Sequence, residues 1–252
     1  MKMRQIKIVE FIRKHERATV DELAVLLDVS RETIRRDLTS LANVGKIQKV
    51  HGGAVLPRVF GEGSFQQRML DNAEAKARIA ETAAKLFSTG ETVFIDTGST
   101  TLHFAEKLSE VSGLTIVTNS TDIANTISAA AMGSRTFLLG GEFSPDNRQT
   151  VGTMVATQVR SFRAHHAVLT IGGLDGRTGA MDYNIEEALV ARAMIEQSES
   201  LTVLTDSSKF NAVASFEVCS LARINHLVCD VMPPGALGKA LTDAGVKIIL
   251  PP

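Results

Sequence analysis

Apolar residues at Ile6, Val9 and Ile12, with Ile8 and Phe11 beside them, recur at helical spacing and predict a first helix over 5–14. Thr19 followed by Glu22 has the spacing of a capping box, so a second helix runs from near Val20 to about Leu27 with Leu23, Leu26 and Leu27 on its apolar side. Asp28 and Val29 turn the chain. Ser30 can cap a third helix, in which Ile34, Leu38 and Leu41 face inward. Gly45 ends that helix. Lys46 to Val50 then alternates with the period of a strand before His51-Gly52-Gly53, and Ala54-Val55-Leu56 returns, which is the pattern of a β-wing.

From Pro57 the pattern loses its period through two glycines, and 58–73 is expected to be a linker between an N-terminal module, 1–57, and a larger one, 74–252. A helical pattern resumes from Ala73 to Phe87, with Ile79, Ala83 and Leu86 inward and Lys76 and Arg78 outward. Continuous apolar runs follow at Thr92–Ile95, Thr115–Thr118, Thr136–Leu139, Ala167–Ile171, Leu201–Leu204, His226–Cys229 and Lys247–Leu250, with helical patterns between several of them. Such an alternation predicts an α/β fold with a mainly parallel sheet covered on both faces.

Charge sharpens the division. Residues 1–58 hold 12 Lys and Arg against 7 Asp and Glu, a balance of +5; the remainder holds 15 against 21, or −6. A basic module on an acidic body points to a polyanion partner for the first alone. The polar face of the third helix supplies the groups: Arg31, Glu32, Thr33, Arg35, Arg36 and Thr39 gather guanidinium and hydroxyl donors near the helix N-terminus that Ser30 caps, suited to phosphates and base edges. Two short helices joined by a tight turn match the helix-turn-helix that enters the major groove.

With 44% hydrophobic and 22% charged residues the chain can bury a sizeable core, and it carries no apolar run near the length of a membrane helix and no signal-peptide pattern, so a cytoplasmic location is expected. Cys219 and Cys229 lack further ligands at metal spacing, so neither a disulfide framework nor a zinc site is expected. His165-His166 and His226 suggest a metal-responsive protein only weakly, because adjacent histidines in a strand point to opposite faces. No metal and no cofactor is expected.

In a parallel sheet the chemistry lies beyond the C-terminal strand ends. Asp96-Thr97-Gly98-Ser99-Thr100-Thr101, followed by a helical pattern, offers backbone N–H groups, hydroxyls and a positive helix end to an anion such as phosphate. It lacks the Gly-Lys-Ser/Thr of a nucleotide-binding P-loop and the glycine spacing of a dinucleotide site. Asn119-Ser120, Gly140-Gly141-Glu142, Gly172-Gly173-Leu174-Asp175 and Asp206-Ser207-Ser208-Lys209 close the later strands. Carboxylates and the Asn amide can bind sugar hydroxyls, and Lys209 can neutralise a phosphate, so the set suits a phosphorylated polyol. Without Trp and with Tyr183 as the single Tyr, recognition rests on hydrogen bonds and charge rather than ring stacking.

These strings carry a family resemblance. Ser30-Arg-Glu-Thr-Ile-Arg-Arg-Asp-Leu38 with Gly45-Lys-Ile and Val50-His-Gly-Gly-Ala54 resembles the winged helix-turn-helix of the DeoR family of bacterial transcriptional regulators. Ile95-Asp-Thr-Gly-Ser-Thr-Thr101, Val117-Thr-Asn-Ser120, Leu139-Gly-Gly-Glu142 and Thr205-Asp-Ser-Ser-Lys-Phe210 resemble the successive motifs of that family's sensor domain, which is similar in fold to ribose-5-phosphate isomerase and the CoA transferases. The resemblance implies operator binding, usually repression, relieved by a phosphorylated sugar or related metabolite. It places Thr33, Arg35 and Arg36 at the core of the recognition helix and Lys49 and His51 in the wing. It puts Asp96, Gly98, Ser99, Thr100, Thr101, Asn119, Gly141, Glu142, Lys209 and Glu187 around the effector. Recognition of a two-fold operator makes a homodimer or homotetramer the expected assembly. The competing reading is an enzyme, a sugar-phosphate isomerase or acyl transferase with Glu142, Glu187 or Asp206 as base; it leaves the N-terminal module without a purpose.

Overall fold

The computed structural model describes residues 3–15, 17–43, 47–50, 52–55 and 63–252, and the chain divides into two compact units, Met1–Gly63 and Ser64–Pro252.

In the first unit the elements are α1 (Met3–His15), β1 (Arg17–Thr19), α2 (Val20–Leu27), α3 (Arg31–Asn43), β2 (Gln48–Val50) and β3 (Gly53–Val55). The capping box forms as its spacing requires: Thr19 N–H donates to Glu22 Oε2 at 2.7 Å and Glu22 N–H to Thr19 Oγ1 at 3.1 Å. Ile8, Ile12, Leu23, Ile34, Leu38 and Leu41 meet in one buried cluster, so the three apolar stripes share a core. Asp37 is buried on α3 and accepts from Arg4 Nε at 2.5 Å and Gln5 Nε2 at 3.2 Å, which ties α1 to α3. The strands lie in the order β1-β3-β2, antiparallel. The short strand β1 was not legible as one, since three residues make no period. Gly53 is required there: a Cβ would stand 2.2 Å from the Ala18 carbonyl oxygen. His51 and the first part of the expected linker, residues 58–62, lie outside the described residues.

The second unit opens with α4 (Phe65–Leu70) and α5 (Ala73–Ala84). Here two expectations are corrected. Residues 64–73 are not structureless, because Ser64 caps α4 and Phe65 is buried. Lys76 does not face outward: it is 5% exposed and its Nζ donates to the backbone oxygens of Arg68 and Asp71, the latter at 2.8 Å. A lysine on a helix can reach carbonyls left open at the end of a neighbouring helix, which offsets part of its desolvation.

Then follow β4 (Thr92–Ile95), α6 (Ser99–Leu108), β5 (Thr115–Thr118), α7 (Thr121–Ala129), β6 (Arg135–Leu138), β7 (Glu142–Ser144), β8 (Gln149–Val151), α8 (Thr153–Val159) and β9 (Ala164–Leu169). After these come β10 (Gly173–Asp175), β11 (Gly179–Asp182), α9 (Ile185–Glu196), β12 (Ser198–Thr205), β13 (Phe216–Cys219), β14 (His226–Cys229), α10 (Gly235–Asp243) and β15 (Lys247–Ile249). Seven strands form one sheet in the order β15-β14-β12-β9-β4-β5-β6, every pair parallel. Side chains alternate across it: Val93 and Ile95 join the cluster that includes Ile79, Phe104 and Ile123, while Phe94 joins the opposite cluster with Val155, Met194 and Leu237. Both faces are therefore apolar, as expected of a sheet covered by helices.

The three-stranded antiparallel sheet β10-β11-β13 and the hairpin β7-β8 were not anticipated. Their strands are three or four residues long, too short to show a period. Asp175, a strand-end candidate, turns the β10–β11 hairpin by accepting from the N–H groups of Arg177 and Thr178 at 2.9 and 3.1 Å. Those bonds hold its carboxyl below the usual range.

Candidate functional site

In the first unit, Ser30 caps α3 by accepting from Thr33 N–H at 3.2 Å. The charged groups that follow are exposed and paired, one with α2 and the others along the helix. Arg31 meets Asp21 at 2.7 Å, and Glu32 lies 3.9 Å from Arg35 and 3.4 Å from Arg36. Glu32, Arg35, Arg36 and Thr39 line one shallow open cavity of about 260 Å³. From β2, Lys49 Nζ donates to Thr39 Oγ1 at 3.0 Å. Thus a wing cation and the recognition-helix cations share one solvent-facing surface, the arrangement that electrostatic attraction to a duplex requires.

The second site follows from the winding of the parallel sheet. From β4 the chain proceeds outward to β5 and β6, then returns to place β9 on the other side of β4. The connections that leave the C-terminal ends of β4 and β9 thus run to opposite sides of the sheet, a topological switch point. Asp96, just after β4, bridges the gap: its carboxylate accepts from Thr170 N–H at 3.1 and 3.3 Å, and its own N–H donates to Val168 O at 3.2 Å. Gly98 leads into α6 against Thr170, whose Oγ1 would lie 2.3 Å from an added Cβ. Ser99, Thr100 and Thr101 are buried in the first turn of α6, and Thr101 Oγ1 donates to Asp96 O at 2.9 Å. The polar turn thus packs tightly and keeps its helix-end N–H groups beside the switch point.

After β5, buried Asn119 donates from Nδ2 to Thr150 O at 2.9 Å and to Gln149 Oε1 at 3.3 Å. Gln149 Nε2 donates to Glu187 Oε1 at 2.8 Å, and Asn147 Nδ2 donates to the same oxygen at 2.9 Å. Asn147 Oδ1 in turn accepts from Arg68 Nη2 at 2.7 Å. On another side, buried Asp206 accepts from Asn72 Nδ2 at 2.9 Å and from Ser208 N–H at 3.0 Å. Lys209 closes the short turn after β12, its N–H donating to Asp206 O at 3.1 Å. Burial lowers the Lys76 pKa; Asp206 opposes that shift, whereas Lys209 and Arg68 add to it, so these three charges lie close enough to act on Lys76.

Of the expected effector residues, Asn119 and Glu187 fall in one hydrogen-bonded network, Asp96 to Thr101 form the β4–α6 turn, and Lys209 adjoins Asp206. Glu142 does not join this network; it is exposed on β7. Gly141 serves packing, since a Cβ would lie 2.7 Å from Val155 Cγ2 and 2.9 Å from Val151 O. Sequence reading missed Arg68, Asn72, Lys76, Asn147 and Gln149. For Lys76 alone a signal existed, a lysine one turn before the buried Ile79 and Ala80.

Comparison with known proteins extends the picture to nearly the whole chain. Residues 4–59 match the DeoR-like helix-turn-helix domain, and residues 71–231 match the DeoR C terminal sensor domain. The chain is 34% identical over 232 residues to the HTH-type transcriptional repressor CsqR of Escherichia coli (strain K12), covering 92% of this chain and 88% of that one. It is 32% identical to the glycerol-3-phosphate regulon repressor of the same organism, covering 96% of both. It is also 32% identical to the L-fucose operon activator of Haemophilus influenzae, covering 99% of this chain and all of that one. Among solved structures, ribose 5-phosphate isomerase A from Methanocaldococcus jannaschii aligns with 56% of this chain and 55% of its own at a TM-score of 0.41 and 16% identity.

Proposed function

Because the chain belongs to the DeoR family of DNA-binding transcriptional regulators, we propose that it represses a carbohydrate-metabolism operon and leaves its operator when a phosphorylated sugar occupies the switch-point site. The observation that carries this reading is the convergence, at the strand ends of one parallel sheet, of a helix N-terminus with the hydrogen-bonded carboxylates Glu187 and Asp206 and the cations Lys76, Arg68 and Lys209. The N–H groups of the first turn of α6 and the hydroxyls of Ser99 and Thr100 take the phosphate; Asp96 and Thr101 hold the turn; Asn119, Glu187 and Asp206 bind hydroxyls. Lys209 balances the phosphate charge.

In the DNA-binding module, taken as residues 1–57 of the first unit, Thr33, Arg35 and Arg36 enter the major groove, while Ser30, Arg31, Lys49 and His51 hold phosphates. A homodimer in the cytoplasm presents two such heads to a two-fold operator. The relatives named as a glycerol-3-phosphate regulon repressor and an L-fucose operon activator support a sugar-related regulon; repression is the sign this reading commits to.

The carboxylates act as fixed acceptors rather than catalytic bases. Glu187 is engaged by Asn147 and Gln149, and Asp206 caps its own turn. The testing experiment titrates pentose and hexose phosphates against the full chain. It follows melting temperature, operator release and conversion of the sugar together. A raised melting temperature with release and without turnover is expected, since a ligand that binds only the folded state stabilises it by mass action. Turnover abolished by Glu187→Ala would establish the enzyme instead.

A further inference from the structure

Glu32 is an anion in the middle of a surface built to meet a polyanion. On α3 the buried line runs through Ile34, Leu38 and Leu41. Glu32 precedes Ile34 by two positions, a rotation of about 200° around the helix axis, so it stands almost diametrically opposite the core. Thr39 lies on the same outward line, with Arg35 and Arg36 to either side of it, and all four residues line one open cavity. Each edge of this stripe is marked by a cation: Arg31 is tied to Asp21 of α2 at 2.7 Å, and Lys49 reaches Thr39 from the wing at 3.0 Å. The Glu32 side chain is 61% exposed, with its carboxylate 3.9 Å from Arg35 Nη1 and 3.4 Å from Arg36 Nε. Exposed pairs of that length contribute little to stability, so they are a weak reason for an acid at this position. We propose that Glu32 is a base-reading residue, accepting a hydrogen bond from the N4 amino group of a cytosine in the major groove. The proposal rests on α3 being the operator-reading helix and adds to that reading a base that the helix selects.

The choice of base follows from what a carboxylate can do, which is accept and never donate. Phosphate oxygens repel it. In the major groove guanine offers the acceptors N7 and O6, thymine offers O4 and a methyl group, and adenine sets the acceptor N7 beside its amino group. Cytosine alone presents an amino donor with no acceptor on its own edge. The neighbouring guanidinium suits the other half of that pair, because a fork on guanine O6 and N7 is the complement of a carboxylate on cytosine N4. Glu32 and Arg35, one helical turn apart, thus match the two edges of C·G steps, and the flanking guanidiniums offset the charge that Glu32 brings towards the phosphates. An acid in the first turn also favours the helix dipole, a role that leaves base preference untouched.

The test uses the full chain as wild type, Glu32→Ala and Glu32→Gln. Each protein selects from randomised duplexes, and anisotropy then measures binding to the wild type's selected duplex and to a random one, with melting temperature followed alongside. Wild type should enrich cytosine at a position where Glu32→Ala shows no preference and Glu32→Gln selects adenine, since a carboxamide pairs with both N6 and N7 of adenine. Glu32→Ala should bind the selected duplex about tenfold or more weakly and the random duplex more tightly, because a base contact and a negative charge leave together. The wild-type sequence preference persisting in either variant overturns the proposal. Relaxation in both variants without a gain of adenine also overturns it, making Glu32 a positioning group for Arg35. A rise on both duplexes makes it a repelling charge only, and an equal fall on both with a lower melting temperature makes it a helix-end support; either result overturns the base contact. A wild type that enriches no sequence sinks the reading of α3 itself, an outcome distinct from enrichment that ignores residue 32.

Discussion

Lys49 Nζ on the wing strand and Thr39 Oγ1 on the recognition helix are joined at 3.0 Å, and Thr39 in turn donates to the Arg35 carbonyl at 2.8 Å. The wing is thereby registered against the third turn of α3, so a cation outside the helix sits at a fixed offset from Arg35 and Arg36. A duplex meets one preset surface rather than two independent elements.

Lys49→Ala should therefore weaken binding to all DNA sequences nearly uniformly and reduce the salt slope by about one charge, since a phosphate contact carries no base information. Fluorescence anisotropy across a salt series checks this. A loss confined to the cognate operator would instead make Lys49 a base reader.

Arg35→Ala should cost roughly 1–3 kcal/mol of operator affinity and relax preference at one base pair, as expected of a bidentate contact to a guanine edge. Its ion pair among the described residues is the 3.9 Å approach to Glu32, exposed on both sides, so leaving it for DNA costs little. Selection from randomised duplexes by both proteins gives the readout; identical selected sequences would remove Arg35 from base contact.

For Lys209→Ala, operator release should fail at sugar-phosphate concentrations that release the wild type, because the cation proposed to balance the phosphate is removed. Normal release would exclude Lys209 from the site.

Cys219 and Cys229 are buried, and desolvation pushes both thiols up to about 12 from an ordinary 9.0. Native protein should react with a thiol reagent far more slowly than unfolded protein at about pH 8. The sign of the linkage follows: between 9.0 and about 12 the folded chain keeps protons that the unfolded chain loses, so this contribution is complete below 9.0 and falls as pH rises through that window. Urea titrations on either side of 9.0 measure it.

Phe104 is fully buried and its ring centroid lies 5.2 Å from that of Phe87, beneath the α6 turn. Phe104→Ala should cost about 3–5 kcal/mol through the cavity left behind, read as a lower urea midpoint.

Much of this architecture was legible before any coordinates. Thr92–Ile95, Thr115–Thr118 and His226–Cys229 form strands with the expected bounds, and α2 begins and ends where its cap and turn place it. These elements declare themselves through repeated local signals, an apolar period or a capping pair three residues apart, which a linear string preserves. The β4–α6 turn was legible for the same reason, because its polar residues are contiguous.

What the string could not contain is which isolated polar residues meet. Arg68 and Asn147 are 79 positions apart, Asn72 and Asp206 are 134 apart, and Gln149 and Glu187 are 38 apart. Each is one polar side chain with no period around it. Lys76 lies one turn before the buried Ile79 and Ala80, but the carbonyls of α4 that receive its Nζ leave no mark in the string. The sequence by itself determined the elements and the two modules, since backbone periodicity is local. Tertiary structure alone decided the convergence at the strand ends, because the order in which parallel strands pack is set by the burial of whole faces and brings remote residues together without any local mark.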